Sequence, residues 1–137
     1  MGSHLSFLEG LFDAFERKDI HAVLDGLHPD VDVIQVESLP YGGVYRGHDG
    51  FKRLLGDLDA AWQVFDVKPF EYLDAGEKIV VRMTCKATAR ASGRDIETEM
   101  QEVFSFRNGK VSEIKVFYWD TAKVRDVLAA ESHFRDS

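Results

Sequence analysis

From Leu5 to Glu16 apolar residues return every three or four positions, at Leu5, Leu8, Leu11, Phe12 and Phe15. This spacing lays one apolar stripe along a helix, and Ser6 with Glu9 has the form of a capping box at its start. Asp19 is placed to cap a second, shorter helix that buries Ile20, Val23, Leu24 and Leu27, and His28-Pro29-Asp30 breaks that run. Val31 to Glu37 then reads as a strand and Leu39-Pro40-Tyr41-Gly42-Gly43 as a turn or loop. Val44-Tyr45-Arg46 forms a short strand before Gly47. A third helix carries Phe51, Leu54, Leu55, Leu58 and Trp62 on one face.

Beyond Trp62 the apolar period shortens to two. Val64 to Leu73, Ile79 to Arg90, Asp95 to Arg107 and Val111 to Trp119 read as strands, parted by turns at Ala75-Gly76, Ser92-Gly93 and Asn108-Gly109. Three successive hairpins predict an antiparallel meander. Thr121 is placed to cap a short closing helix with Val124, Val127 and Leu128 inward. Helices followed by hairpins are the α+β pattern, and the whole is expected to be one domain over residues 5–131.

Strand alternation separates the faces of the meander. In the Asp95 strand, Ile96, Thr98, Met100, Glu102, Phe104 and Phe106 share the face expected to be buried, and Glu97, Glu99, Gln101 and Ser105 the other. The preceding strand puts Val81, Met83, Cys85 and Ala87 inward and Arg82, Thr84, Lys86 and Arg90 outward, so its bases can answer Glu97 and Glu99 across the ladder. Glu102 breaks this pattern. A carboxylate between Met100 and Phe104 must be partnered, open to a watered pocket or protonated. Its candidate partners are Arg46 and Arg82, should either turn inward.

The last strand offers Ile114, Val116, Tyr118 and Asp120 on one face, Glu113, Lys115, Phe117 and Trp119 on the other, and its periodicity does not choose between them. If the first set is inward, Tyr118 and Asp120 join Glu102 in a mostly apolar hollow of the kind small molecules occupy. Asp120 is equally suited to satisfying amides at the strand-to-helix junction. The candidate catalytic residues are therefore Glu102, Tyr118 and Asp120, and the candidate ligand-binding residues Gln35, Trp62, Met100 and Val116.

Composition narrows the partners. The net charge of −7 and the scattering of the 17 basic residues disfavour nucleic acid and anionic membrane surfaces. Neither a run of about 18 apolar residues nor a signal peptide is present, so a cytoplasmic location is expected. Met1-Gly2-Ser3-His4 has the form of an expression-tag remnant and is set aside. The single cysteine, Cys85, reads as a buried structural thiol. Among His4, His21, His28, His48 and His133 no metal-binding pair occurs, and no glycine-rich phosphate loop is found. Neither a metal nor a cofactor is expected; His48-Asp49 reads as a helix start.

Four segments resemble the SnoaL-like branch of the nuclear transport factor 2-like superfamily: Glu16-Arg17-Lys18-Asp19, Tyr45-Arg46-Gly47-His48-Asp49-Gly50, Phe104-Ser105-Phe106-Arg107-Asn108-Gly109-Lys110 and Tyr118-Trp119-Asp120-Thr121. The resemblance implies a cone-shaped half-barrel: a curved, mostly antiparallel sheet wrapped by three N-terminal helices, with a short C-terminal helix and commonly a homodimer. The superfamily spans polyketide cyclases, ketosteroid isomerase, dehydratases, epoxide hydrolases and non-catalytic proteins, so fold does not select function. Carried over by position, the isomerase's tyrosine falls on Leu11, its general base on Gln35 and its oxyanion acid on Glu102. The cyclases' acid/base aspartate falls on Val116 and their cavity histidine on Glu102. The hydrolase pairing is absent, since Arg82 is followed by Met83-Thr84.

Two functions of different class follow. One is a cofactor-independent acid/base enzyme acting on a hydrophobic carbonyl or polyketide-like small molecule, of isomerase, cyclase or dehydratase type, with Glu102 as acid or base and Tyr118 or Gln35 orienting the oxygen. The alternative is a non-catalytic small-molecule-binding protein or a dimeric interaction module. A homodimer through the convex sheet face is expected from Phe117 and Trp119.

Overall fold

A computed structural model of the chain describes residues 3–129, so the end of the expected domain at 131 and His133 lie outside the described residues. Helix α1 spans His4–Glu16, α2 Ile20–Gly26, α3 Gly47–Ala61 and α4 Thr121–Leu128. The strands are β1 Leu27–Gln35, β2 Gly43–Arg46, β3 Trp62–Asp74, β4 Lys78–Ala89, β5 Asp95–Arg107 and β6 Lys110–Tyr118. They form one six-stranded sheet in the order β2-β1-β6-β5-β4-β3. Every pairing is antiparallel except β1 with β6.

The three hairpins form as the turn residues dictate. At Asn108-Gly109 both residues take positive φ, 54° and 77°, the twist that a two-residue hairpin needs and that Asn-Gly adopts with least strain. Irregularities at Trp62/Val64 and Pro69/Glu71 of β3, and at Ser105/Phe106 between β5 and β6, interrupt the ladder. Such interruptions bend a sheet, and the helices lie in the bend. Phe12 of α1 meets Phe104 of β5 and Tyr72 of β3 edge-on, with ring centroids 5.6 and 6.0 Å apart. The core is continuous from Leu8 of α1 through Leu54 of α3 to Met83, Met100 and Val116 of the sheet.

Four boundaries differ from expectation. The N-cap of α1 is Ser3, whose hydroxyl accepts from the Ser6 amide at 3.2 Å, so the Ser6–Glu9 box lies inside the helix. Starting a turn earlier lets His4 stack on Phe106 at 4.1 Å, and the segment set aside as a tag remnant thus enters the fold at Ser3 and His4. His28-Pro29-Asp30 does not interrupt the chain but lies within β1, where the pairing with β6 lapses between Leu27 and Asp32; a proline without an N–H is tolerated there. Trp62 opens β3 rather than closing α3. The cap of α4 is Asp120, not Thr121.

Candidate functional site

The register of β4, β5 and β6 turns Glu102 toward the helices. Val81, Met83, Cys85, Ile96, Met100, Phe104, Ile114, Val116 and Tyr118 are buried on the same face, which resolves the ambiguity of β6 in favour of its Ile114 set. Glu102 is enclosed by protein on all sides yet retains part of its accessible surface. Its cross-strand neighbours are Val81 and Val116, neither able to hydrogen-bond through its side chain.

No described side chain pairs with the Glu102 carboxyl. Arg82 lies on the opposite face of the sheet, held by Glu99 at 3.0 Å and Glu71 at 2.7 Å, and Arg46 reaches Asp32 at 3.4 Å from an exposed position. Both expected ion-pair partners are thereby ruled out. Among the described residues every lysine is exposed, as is every arginine except the half-buried Arg82 and Arg94, and Arg94 is engaged with Asp126 at 3.0 Å. Burial without a counter-charge pushes the Glu102 pKa up to about 7, because a poorly solvated carboxyl favours its neutral form.

Tyr118 is the diagonal neighbour of Glu102 on this face, opposite Met100. Its hydroxyl lies 3.0 Å from that of Tyr41, and the Trp62 indole N–H donates to the Tyr41 hydroxyl at 3.2 Å. Burial holds the Tyr118 pKa well above its ordinary value, with Tyr41, Cys85 and Glu102 adding to the rise. For Tyr41 burial also wins, against its hydrogen bonds with Tyr118 and Trp62. Both tyrosines are therefore neutral hydrogen-bonding groups near neutral pH.

Sequence reading gave Tyr41 no role beyond a turn or loop; it is buried, with Leu39. The loop folds back on itself through the bonds Leu39 N to Val36 O and Gly42 N to Leu39 O, at 3.1 and 2.9 Å. A Cβ at Gly42 would collide with the Val36 carbonyl and the Glu37 backbone, so only glycine allows this return. An aromatic residue directly before Gly42-Gly43 was the available signal. Tyr45 braces the same loop, its hydroxyl 2.8 Å from the Asp57 carboxylate and 3.0 Å from the Tyr41 carbonyl.

The other sequence candidates divide. Met100 and Val116 are buried on either side of Glu102 in the strand pattern. Gln35 is buried on β1, next to Ile34, which lies opposite Lys115; it thus shares a row with Val116 and Glu102. Trp62 is buried and uses its N–H on Tyr41. Asp120 is not brought together with Glu102: it is exposed, and its carboxylate accepts from the Lys123 amide at 3.1 Å. Burial drives the Cys85 thiol up to about 12, so it is an unreactive packing group. His48 bonds the Leu27 carbonyl through Nε2 at 2.9 Å, tying α3 to β1.

Among the described residues no group of three or more His, Cys, Asp or Glu side chains is placed to hold a metal ion. A separate groove of about 460 Å³ lies on the outer face of the sheet, lined by Val64, Asp66, Lys86, Thr88, Asp95 and Glu97 among others. It faces away from Glu102. Among the described residues no helix is long and apolar enough to cross a membrane.

Comparison with known proteins gives the same fold. The model of the SnoaL-like domain family matches residues 8–114. A nuclear transport factor 2-like protein of unknown function from Burkholderia pseudomallei is 28% identical, with a TM-score of 0.86 over 95% of this chain and 100% of that one. A second such protein, from Burkholderia thailandensis, is 22% identical, with a TM-score of 0.87 over 94% and 99%. TerC, co-crystallised with polyporic acid, is 23% identical with a TM-score of 0.81 over 90% and 96%. No curated protein matches the chain significantly in sequence.

Proposed function

The chain belongs to the SnoaL-like domain family, and from the unpartnered acid in its interior we propose that it is a cofactor-independent acid/base enzyme acting on an uncharged hydrophobic carbonyl compound. The observation that carries this reading is Glu102, with no described partner and a pKa near 7. Near neutrality its acid and carboxylate forms are comparably populated, the condition under which one group can both give and take a proton efficiently. Trp62 donates to Tyr41, whose hydroxyl lies 3.0 Å from that of Tyr118; with Tyr41 taken as the donor of that pair, the Tyr118 hydroxyl turns its own proton to a substrate oxygen. Tyr118 then holds the carbonyl while Glu102 protonates it or removes a proton from the adjacent carbon, in an isomerisation, cyclisation or dehydration. Among the described residues no lysine or arginine is buried, which supports an uncharged substrate.

A second reading, a non-catalytic small-molecule binder, is favoured by Leu11 and Gln35, which occupy the positions where the isomerase carries its tyrosine and base. Proton exchange separates the two. With 1-tetralone in deuterium oxide, the enzyme is expected to speed loss of the α-proton NMR signal, and Glu102→Gln to abolish the acceleration. Binding without exchange would leave the binder. As for assembly, we propose a homodimer through the outer face of the sheet, where Val64, Phe70, Leu73, Phe117 and Trp119 are exposed.

A further inference from the structure

Among the described residues, the Gln35 side-chain oxygen is buried without a hydrogen-bonding partner. The residue as a whole is 6% exposed. Leaving an acceptor so placed without a donor is destabilising, and methionine would fill similar space without that penalty. With no partner among the described residues, attention turns to a partner from outside the chain.

Its place in the sheet says what kind. The ladder from Ile34–Lys115 to Val116–Glu102 puts Gln35 two strands from Glu102, in the same row and on the same inward face. Two strand spacings are about 10 Å at the backbone, and inward curvature brings the side chains closer. A ring compound with oxygens at two of its edges spans that gap. Since every described lysine is exposed, and the two partly buried arginines are engaged elsewhere, nothing there answers an anionic substituent.

The geometry points to Gln35 as the specificity residue of the pocket, accepting a hydrogen bond from a hydroxyl or N–H group of an uncharged ring compound whose carbonyl is held by Glu102 and Tyr118. This rests on the reading of Glu102 and Tyr118 given above and adds a second point of recognition. A ligand lacking the donor leaves the amide oxygen unsatisfied; a methyl ether also sets an oxygen lone pair against it. Sites built to hydrogen-bond a hydroxyl reject analogues without one for this reason.

The test is calorimetric titration of the full chain at pH 6 with 1-tetralone, its ring-hydroxylated isomers and their methyl ethers. At least one hydroxytetralone is expected to bind about tenfold more tightly than both the parent ketone and its own ether, the effect of one neutral hydrogen bond. In Gln35→Met this preference should collapse while affinity for 1-tetralone and thermal stability hold or improve. Equal binding of all three probes would overturn the role of Gln35 and leave the carbonyl reading standing. So would an ether as tight as its phenol, which would mean that the amide presents its N–H, or a preference that survives Gln35→Met. Failure of every tetralone to bind at millimolar concentration would overturn the carbonyl reading and this inference with it. The comparison of phenol with ether in the wild-type chain stands even if the variant does not fold.

Discussion

Glu102 links the site to the stability of the chain. Its carboxyl is raised from 4.5 to about 7 by burial, so the folded state binds this proton more tightly than the unfolded state does. The contribution is fully present below the unfolded value of about 4.3, declines as pH rises, and is lost above about 7. Glu102→Gln keeps the shape and removes the titration. The variant is therefore expected to match the wild type near pH 4 and to exceed it at pH 8 by about 3 kcal/mol. Urea denaturation at the two pH values checks this; a difference independent of pH would show that Glu102 does not carry the shift. Glu102 was legible because strand alternation makes a lone acid conspicuous, whereas Tyr41 was not, because nothing local says that a Pro-Tyr-Gly-Gly loop folds inward.

At the scale of elements, the β6–α4 junction shows how two local rules compete. Thr121 and Asp120 are both good caps, and the chain uses Asp120, whose carboxylate meets the Lys123 amide. Asp120→Ala should destabilise the protein by about 1 kcal/mol, while Thr121→Ala should have little effect. Neither should change tetralone binding, and a loss of binding in Asp120→Ala with stability preserved would return Asp120 to the pocket. The loop before β2 has a sharper requirement: Gly42→Ala forces a collision with the Val36 carbonyl. It should lower stability by more than about 1 kcal/mol and displace Tyr41 from Tyr118, a change that hydrogen–deuterium exchange of the loop amides would report.

For the whole molecule the open question on the surface is the outer face of the sheet. Trp119 is 84% exposed, and Val64, Phe70, Leu73 and Phe117 share its side of the sheet. Beside them Arg82 is clamped by Glu71 and Glu99 and lies 4.9 Å over the Phe70 ring, so this cation is matched within the chain. A face carrying several exposed apolar side chains is suited to a second copy of itself. Light scattering at micromolar concentration is expected to give twice the chain mass of 15.5 kDa. Trp119→Glu should shift it toward that single-chain mass; a dimer untouched by this change would place the interface elsewhere.

Elements with strong internal periodicity were determined by sequence alone. The meander, its three turns and the inward placing of Glu102 all follow from period-two alternation and turn chemistry, which act within a few residues, whereas the side taken by Arg82 was settled by its bonds to Glu71 and Glu99. Whereas the Asp19 cap of α2 was legible, the start of β1, the caps of the first and last helices and the strand that begins at Trp62 were not. In each case two local solutions of similar energy existed, and distant contacts chose: His4 with Phe106, Leu27 with Val111, Trp62 with Ala89. The site has the same division. Sequence placed an acid on an apolar face, but only the tertiary structure decided that it has no counter-charge, that Tyr41 arrives from a loop to meet Tyr118, and that Gln35 lines up with it across β6. Those are relations between segments distant in the chain, set by sheet order and register, which no local pattern encodes.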